Sequence, residues 1–428
     1  MIPQEYEIRV VGADDLNLDR LREIERYREY DFVPLCRHEE LRSPLSRPLP
    51  RIIDEALGEL RSRRPAAIIA YWDFPENALA RYLSGELGLR STSLESVLAC
   101  EHKYWARTLQ ADVSPRLVPP FELLDPCEHR ALEQIHLDPP FWIKPIKATG
   151  SALSFRVETE SDADRALERI RAEIGAFAEP FDHLLSLARV PDWVREIGGR
   201  HCIVEKSLSG SQCTVSGFVH NDEVTIIGVV DSLSYPGTST FSAFVHPSRL
   251  TPEVQDRLRR SATEVITPFG LQESGFNIEF FYDEETDSLS VLEVNPRFSQ
   301  SHADLYLRVD GTSNHQLLLD LALGNDPTFR QGAGTDAVAA KFFERVFEDV
   351  EVTHVAGSDE IRAIERRHDC RVALLVQEGD RLRHKPTEDA YSHDIAHVYL
   401  GASSYEQARR KYERIIDDLS IQYRGLRE

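Results

Sequence analysis

Apolar and amphipathic segments alternate along the first hundred residues of the chain. The apolar runs Tyr6–Val11 and Ala66–Tyr71 predict buried strands, while Leu16–Tyr30 and the residues after Pro50 have the apolar spacing of helices. Strands that alternate with helices in this way form parallel sheets with helices packed on their faces. We therefore expect residues 1–100 to form a small α/β domain.

The middle of the chain has an α+β pattern. A strand at Phe141–Pro145 is followed by a polar stretch and an amphipathic helix at Ser161–Glu173. Residues 201–250 contain mostly alternating strands separated by turn residues, which predicts antiparallel hairpins. Two further strands, Phe276–Tyr282 and Leu289–Asn295, are joined by an acidic turn.

The end of the chain returns to mixed strands and helices. A helix with apolar stripes, Asn314–Leu323, ends at Gly324. After the glycine-rich stretch at 331–336 the chain resumes strands, and a long helix at Ser404–Leu419 closes the pattern. No internal repeat is visible, so repeat architectures are excluded.

Composition places the chain among globular proteins and disfavours a nucleic-acid partner. Its 428 residues are enough for two or three domains, and the apolar fraction of 41% and charged fraction of 29% are globular values. A nucleic-acid binder needs a basic face against phosphate, whereas the net charge here is −22.

The sequence also favours a cytoplasmic location without a membrane partner. The N-terminus lacks a basic start followed by an apolar core, and no apolar run approaches the roughly 20 residues that span a bilayer. The six cysteines form no CxxC pair and fit reduced thiols better than disulfides or a zinc site. With seven lysines against 43 arginines, each lysine is a candidate for a specific role.

The two strands joined by the acidic turn are the strongest candidate for chemistry. Side chains alternate faces along a strand, so Glu279, Glu293 and Asn295 can share one face if the strands pair. Two carboxylates and an amide oxygen form a hard-oxygen site that suits one or two Mg²⁺ ions, which also hold phosphate oxygens. The same pattern is typical of a half-solvated hairpin whose acids face water.

Two lysines and a polar loop are candidates for phosphate binding. Lys144 lies near the end of its strand and Lys103 lies on the preceding helix, where each can act as a point charge on a phosphate. The loop after Lys144 contains Gly150 and Ser151, whose backbone N–H groups can cover phosphates. Taken alone, Lys144 equally fits a surface lysine.

Residues 203–215 have the pattern of a linker between two domains, a strand, a short turn and a strand. Open backbone groups in such a linker can bind an adenine edge. Glu205 and Gln212 then lie within reach of the adenine amine and the ribose hydroxyls. Taken alone, Glu205 also fits a carboxylate at a strand edge.

The order of these features resembles the ATP-grasp superfamily. Two lysines, a Gly/Ser loop, an E-K-x-L turn, N-x-E and E-V-N-P-R follow one another in the family's order. The resemblance covers residues 95–330 and is strongest over 276–324. The superfamily includes biotin carboxylase, the carbamoyl phosphate synthetase large subunit, D-alanine–D-alanine ligase and L-amino-acid ligases.

The resemblance implies an ATP-grasp fold of mixed α/β and α+β character. It implies an N-terminal Rossmann-like (pre-ATP-grasp) domain at 1–100 and a two-subdomain nucleotide-binding core at 101–330. The lid subdomain of that core would span 138–208. A small C-terminal α+β segment at 331–428 would pack on the core.

The resemblance also implies roles for individual residues. Glu205 and Leu208 would line the adenine site, and Gln212 would take the place of a ribose-binding acid. The implied ATP-binding set is Lys103, Lys144, Gly150, Ser151, Glu205, Lys206, Leu208 and Gln212, and the implied set for Mg²⁺, with Mn²⁺ as an alternative, is Glu279, Glu293 and Asn295.

The substrate side of the implied site is less specific. Arg297 would neutralise charge on an acyl phosphate or tetrahedral intermediate. His302 would be a base or a substrate contact, although it equally fits a packing histidine. His246 and Asp231 are weaker candidates for lining the pocket.

Two positions depart from the family's pattern. The phosphate loop of many relatives has a second glycine where this chain has Leu153, which puts the flexibility and closure of the loop in doubt. Gln212 stands where relatives have an acid, which would weaken the ribose contact without removing it. Neither departure affects the predicted phosphate and metal ligands.

The function implied is an ATP- and Mg²⁺-dependent carboxylate–amine ligase. It would form an amide or peptide bond through an acyl phosphate, with ADP and phosphate as products. Its partners would be small carboxylates and amines, such as amino acids, and a second copy of the chain in a homodimer. Two alternatives stay open, a biotin-carboxylase-type carboxylase acting on bicarbonate and a non-catalytic ATP-binding module.

Overall fold

The computed structural model describes residues 6–42, 45–128, 130–383 and 392–426. The first elements are strands β1 (Glu7–Ala13), β2 (Asp31–Arg37) and β3 (Ala67–Ile69) and helices α1 (Asp15–Arg22), α2 (His38–Leu41), α3 (Leu49–Ser62), α4 (Glu76–Glu86) and α5 (Leu94–Glu101). The strands form a parallel sheet in the order β2-β1-β3. The parallel sheet predicted for this region is therefore confirmed.

One predicted helix in this region is wrong in extent. The apolar spacing of Leu16–Tyr30 predicted a continuous helix, but α1 ends at Arg22 and a short 3₁₀ turn at Glu25–Tyr27 follows. Ile24 between them is extended and buried, and the Tyr27 hydroxyl donates to the buried carboxylate of Asp320. Tertiary contacts therefore override the helical spacing.

A four-stranded antiparallel sheet follows helix α6 (Lys103–Val113). Its order is β4-β7-β5-β6, with β4 (Phe121–Leu124), β5 (Phe141–Pro145), β6 (Phe155–Val157) and β7 (Cys202–Lys206), and its helices are α7 (Glu160–Glu173), α8 (Gly175–Leu187) and α9 (Asp192–Ile197). Helix α7 starts with a capping box, in which Thr159 and Asp162 satisfy each other's backbone N–H groups.

An eight-stranded antiparallel sheet forms the centre of the molecule. Its strands are β8 (Ser211–His220), β9 (Glu223–Ser234), β10 (Phe241–His246), β11 (Ser274–Asp283), β12 (Ser288–Asn295), β13 (Val338–Val346), β15 (Cys370–Leu374) and β17 (His393–Ala402). They lie in the order β12-β11-β8-β9-β10-β13-β17-β15. Strands that follow residue 330 thus extend the sheet begun by the middle of the chain.

The remaining elements cover this sheet. They are helices α10 (Pro252–Ile266), α11 (Ala303–Asp310), α12 (Asn314–Leu323), α13 (Ser358–His368) and α14 (Tyr405–Leu419), and a small sheet of β14 (Val350–His354), β16 (Arg381–Leu382) and β18 (Gln422–Gly425). Ile8 of β1, Leu305 of α11 and Tyr399 of β17 share one buried cluster. The N-terminal sheet therefore packs through α11 onto the central sheet.

Two further expectations concern the state of the cysteines and membrane-spanning helices. Cys36, Cys100, Cys127, Cys202, Cys213 and Cys370 are all free thiols. Cys202 and Cys213 are buried in core clusters, where they pack as small apolar side chains. Within the described ranges, no helix is long and apolar enough to cross a membrane.

Candidate active site

The acidic hairpin brings the three predicted metal ligands together. Strands β11 and β12 pair so that Glu279 lies opposite Glu293 and Asn277 lies opposite Asn295. The Asn295 amide nitrogen is 3.5 Å from Glu279 Oε1, 3.4 Å from Glu293 Oε1 and 3.3 Å from Asn277 Oδ1. The opposite orientation of the same amide would present Oδ1 instead. Four oxygen-bearing side chains thus converge on one face of the hairpin.

Electrostatics at this hairpin favour a bound cation. Burial raises the pKa of Glu279 to about 8, and the facing carboxylate of Glu293 adds to the rise, while Arg297 and Gln212 oppose it. A divalent cation would relieve the repulsion between the two acids. No third carboxylate, histidine or cysteine joins them among the described residues. The donor set therefore fits Mg²⁺ with its remaining ligands drawn from water or phosphate.

Three of the seven lysines gather near this hairpin. Lys103 Nζ donates to Ala148 O at 3.3 Å, Lys144 Nζ lies 2.9 Å from Glu205 Oε2, and Lys147 is paired with Glu101. Burial, assisted by the charge of Lys147, lowers the pKa of Lys103 to about 8 against the pull of Glu293. Lys103 has no acidic partner within 4.0 Å among the described residues, so its charge is available to an anion.

Glu205 is held between two cations rather than open to a ligand. Arg107 Nε lies 2.5 Å from Glu205 Oε1, opposite Lys144 on the other oxygen. Burial alone would raise the pKa of Glu205, but Arg107 and Lys144 outweigh it and lower the pKa to about 2. Arg107 also donates to Leu292 O at 2.6 Å, which ties the small sheet to β12. The Glu205 side chain therefore orients Lys144, and only its backbone remains for adenine.

The loop after β5 has a left-handed backbone at three positions. The φ angles are 58° at Gly150, 60° at Ser151 and 54° at Leu153. Leu153 thus adopts the conformation that glycine favours, and its side chain is buried in the core of the small sheet. Packing of Leu153 therefore fixes a loop that a second glycine would leave freer.

The predicted hinge residues lie between the small and the central sheet. Lys206 ends β7 and donates from Nζ to Asp138 O at 2.8 Å, and Leu208 is half-buried in the segment that leads into β8. Gln212, near the start of β8, donates from Nε2 to Glu279 Oε2 at 2.7 Å. The structure therefore places Gln212 against the carboxylate pair.

Arg297 follows β12 and is anchored by the N-terminal unit. Its Nη2 donates to Asp73 Oδ2 at 2.9 Å, and its backbone carbonyl accepts from Asn277 Nδ2 at 2.9 Å. Burial alone would raise the pKa of Asp73, but Arg297 and Lys147 outweigh it and hold that pKa low. Asp304, an acid seven residues after Arg297, pairs with Arg20 at 2.6 Å and not with Arg297.

The three remaining candidates differ in whether their polar atoms are satisfied. His302 is buried and neither ring nitrogen has a hydrogen-bond partner; burial, with Lys341 and His246, lowers its pKa to about 3. His246 Nε2 lies 2.8 Å from Asp310 Oδ2. Asp231 accepts from the Ser248 hydroxyl at 2.5 Å and from the Arg249 backbone at 3.0 Å. Of the three, only His302 has both polar atoms free for a ligand.

Sequence reasoning missed several charged and polar residues of this site. They are Asp73, Glu101, Arg107, Lys147 and Asn277. Lysine scarcity was a usable signal for Lys147, since it lies three residues after Lys144. Asn277 shares the strand face of Glu279 by simple alternation. Asp73 carries no local signal, because its contact with Arg297 joins residues 224 positions apart.

Sequence comparison identifies part of the chain. Residues 137–303 match the family described as the ATP-grasp domain. The arginine-specific large chain of carbamoyl phosphate synthase from Geobacillus stearothermophilus is 32% identical over 133 residues. That match covers 30% of this chain and 12% of the other, so the chain corresponds to a small part of that protein.

Structural comparison extends over the whole chain. An L-amino acid ligase from Bacillus licheniformis superposes with a TM-score of 0.76 at 16% identity, covering 99% of this chain and 100% of that one. Biotin carboxylase from Campylobacter jejuni, in a β,γ-ATP complex, superposes with a TM-score of 0.68 at 14% identity, covering 98% and 92%. Similarity at these identities concerns the fold. The chain has the ATP-grasp fold, and residues 137–303 form an ATP-grasp domain.

Proposed function

We propose that this protein is an ATP- and Mg²⁺-dependent carboxylate–amine ligase that forms an amide or peptide bond. A carboxylate would take the terminal phosphoryl group of ATP to give an acyl phosphate and ADP, and an amine would then displace phosphate. The observation that carries the proposal is the half-buried pair of facing carboxylates, Glu279 and Glu293, within electrostatic reach of both Arg297 and Lys103.

In this proposal the lysines hold the nucleotide. Lys103 and Lys144 act as point charges on its phosphates, while Lys147 adds to the positive field around Lys103. Backbone N–H groups at Gly150 and Ser151 cover the phosphates from the loop.

The base and sugar of the nucleotide would bind at the hinge. The backbone at Glu205 and Lys206 and the side chain of Leu208 line the adenine site. Gln212 lies between ribose and the carboxylate pair, a place supported by its hydrogen bond to Glu279.

The carboxylate pair and the Asn295 amide oxygen would hold Mg²⁺. When bound, the ion disperses negative charge on the transferring phosphoryl group. Arg297 would act beside this site on the acyl phosphate or the tetrahedral intermediate, where its planar fork of donors fits a phosphoryl or carboxylate group. Asp73 keeps that fork in place through the bond at 2.9 Å.

An amine acceptor is the reading we favour over bicarbonate. The L-amino acid ligase covers the full length of both chains with a TM-score of 0.76, against 0.68 for biotin carboxylase. The second candidate is a carboxylase that acts on bicarbonate, and the similarity to biotin carboxylase and to carbamoyl phosphate synthase supports it. A non-catalytic module would not need the carboxylate pair and Arg297 together.

A nucleotide-product assay tests the proposal. The protein is incubated with ATP, Mg²⁺ and pairwise mixtures of the twenty common amino acids, and separately with bicarbonate, and the spent nucleotide is separated by chromatography. We expect ADP and phosphate to form in step with a dipeptide or other amide. AMP and pyrophosphate as the main products would exclude an acyl phosphate, and ADP formed only with bicarbonate would replace the amine ligase by the carboxylase.

A further inference from the structure

A buried lysine on the central sheet lacks an acidic partner. Lys341 lies on β13, opposite Phe244 of β10 and Tyr399 of β17, and is only 2% exposed. Among the described residues its one hydrogen bond goes from Nζ to the Ser301 hydroxyl at 3.0 Å. No acidic oxygen of the described residues lies within 4.0 Å of Nζ. A buried cation with one neutral partner is costly, so its presence calls for an explanation.

The acids nearest to Lys341 are already neutralised by arginines. Asp394 lies 3.1 Å from Arg345, and Asp304 lies 2.6 Å from Arg20. The charged and titratable groups that act on Lys341 from the surrounding elements include these four residues, His302, His397 and Tyr399, whose ring centroid lies 5.5 Å from Nζ. Burial lowers the pKa of Lys341 to about 7, and the charges of Arg20 and Arg345 contribute to the fall. Lys341 is thus the excess positive charge of this region.

Donors without acceptors surround this lysine. An ammonium group has three donors, and Lys341 uses one of them on Ser301. The imidazole of His302 is 2% exposed, and neither of its nitrogens has a hydrogen-bond partner. Such a group of donors matches the oxygens of a carboxylate.

Aromatic rings border the same place. The ring centroid of Phe343 lies 4.3 Å from Lys341 Nζ. The rings of Phe244 and His302 meet edge-on, with their centroids 5.1 Å apart. A ligand bound here would therefore meet one cationic end and one apolar side. That combination fits an amino acid better than an inorganic anion.

The position of Ser301 and His302, beside Lys341, connects these residues to the proposed reaction. Ser301 and His302 follow Arg297 by four and five residues on the segment that leads from β12 into α11. The charge of Arg297 also acts on His302. Ser301 and His302, beside Lys341, thus lie on the same segment of chain as Arg297 of the proposed phosphoryl-transfer site.

We propose that Lys341, Ser301 and His302 form a carboxylate site that holds the amine-bearing substrate, an amino acid, by its carboxylate. The inference rests on the proposed ligase function and adds to it the class of the amine substrate. The carboxylate bound here is distinct from the one that becomes the acyl phosphate. An amine without a carboxylate would therefore be a poor acceptor.

Lysine NMR tests the site without turnover. The chain has seven lysines, so a protein labelled with ¹⁵N at the lysine Nζ gives few signals, and Lys341→Gln assigns the one of interest. The probes are the twenty L-amino acids, their carboxamides and their N-acetyl derivatives. Amino acids and N-acetyl amino acids that bind should raise the titration midpoint of Lys341 by about one pH unit, because an adjacent opposite charge favours the ammonium form.

The carboxamides and a remote lysine serve as controls in that experiment. The signal of Lys411, which donates to Asp369 O and Gly401 O on the far side of β17, should not move. A midpoint for Lys341 that stays unchanged with every carboxylate, or moves equally with the carboxamides, overturns the proposal. Because no ATP is present, these results stand whether or not the ligase assay succeeds.

Two variants separate a binding role from a structural one. Lys341→Met removes an uncompensated buried cation, so we expect its melting temperature to stay level or rise while KM for the amino-acid amine increases about 30-fold with little change in KM for the acid. Lys341→Arg keeps the charge and should recover part of that loss. A lower melting temperature with unchanged KM values, or a rise in KM for the acid alone, would exclude the assignment.

Discussion

Arg20 and Asp304 form a buried ion pair at 2.6 Å where the N-terminal unit meets α11, whereas Glu279 and Glu293 are two like charges placed opposite each other across β11 and β12. Arg20 and Asp304 are buried, whereas Glu279 and Glu293 are half-buried. In the first, each charge is neutralised by the protein. In the second, the protein adds Arg297 and the Gln212 amide but no salt bridge within 4.0 Å among the described residues.

We propose that the difference separates charges that stabilise the fold from charges that bind a ligand. A buried pair that is complete needs nothing further, while like charges in one partly buried place are unfavourable until a cation joins them. The same reasoning applies with opposite sign to Lys341, whose neighbouring acids are already paired. In this proposal an unbalanced charge away from full solvent exposure, rather than burial or charge alone, marks the functional parts of the protein.

Breaking the balanced pair should have the largest effect, and the effect should be on stability. Asp304→Asn leaves Arg20 buried without its anion, which typically costs about 3 kcal/mol of unfolding free energy. Burial alone would raise the pKa of Asp304, but Arg20 and Arg371 outweigh it and lower that pKa. The contribution of the Asp304 carboxylate to the free energy of unfolding is therefore fully present above the ordinary aspartate pKa of about 3.9. It is lost as pH falls below that value and through the lowered pKa of the folded protein.

Denaturant unfolding at several pH values measures this. The difference in unfolding free energy between the parent and Asp304→Asn should be large at pH 6 and should shrink between pH 4 and pH 3. Asp19→Asn, at an exposed pair with Arg22, is the matched control and should change little. A difference that is absent at pH 6 would show that the buried pair contributes no stability.

A change in the Glu279–Glu293 carboxylate pair should instead affect turnover. Glu293→Gln removes one predicted metal ligand and also the repulsion against Glu279, so we expect at least roughly a 100-fold loss of kcat, about 2.7 kcal/mol, with no loss of melting temperature. Measuring kcat and melting temperature on one preparation, at saturating Mg²⁺, tests this expectation. Activity within a few-fold of the parent would make Glu293 a plain strand residue.

Arg297 stands between these two kinds of group, because it is paired with Asp73 yet faces the proposed reaction. Arg297→Lys keeps the charge and loses the planar fork, so we expect roughly a 30-fold fall in kcat with little change in KM for ATP. Asp73→Asn keeps Arg297 but weakens its anchor and should give a smaller fall. A loss of melting temperature with normal kcat per folded molecule would assign Arg297 to the fold alone.

Local patterns predicted much of the architecture and the acidic hairpin. Glu279, Glu293 and Asn295 lie together because alternation along β11 and β12 puts them on one face, and that rule needs no tertiary information. The parallel N-terminal sheet follows in the same way from alternating strands and helices. Strand β2 was not predicted, since Pro34 interrupts a run whose exposed and buried positions do not alternate clearly.

Partners distant in sequence could not be predicted from such patterns. Lys144 was predicted on a strand, but its bond to Glu205 depends on the pairing of β5 with β7 across 61 residues. Lys341 gave no signal beyond the scarcity of lysine in the chain, because a single lysine in an apolar strand resembles an edge or surface position. Its burial depends on α11 and on the strands at either side.

Lys144 gives the smallest of the four expected effects, and it tests whether a lysine paired with an acid still serves a ligand. Lys144→Ala should weaken ATP binding about tenfold, about 1.4 kcal/mol, and leave adenosine binding nearly unchanged, because the proposed contact is to phosphate. The competing explanation is that Lys144 only anchors Glu205, which lies in the strand that leads to the hinge. In that case loss of the anchor would weaken adenosine and ATP equally.

A second variant separates these explanations. Glu205→Gln keeps the side-chain shape and one oxygen that accepts from Arg107 or Lys144, but it turns an amide N–H₂ toward the other cation and removes the negative charge that competes with phosphate for Lys144. If Lys144 binds phosphate, this variant should bind ATP at least as tightly, relative to adenosine, as the parent does, although the loss of the anion beside Arg107 should lower its melting temperature. If Lys144 is an anchor, Glu205→Gln should weaken ATP and adenosine together, as Lys144→Ala would. Calorimetry with ATP, ADP and adenosine on both variants, with Lys411→Ala as the remote control, distinguishes the two, and equal losses for all three ligands would remove Lys144 from the phosphate site.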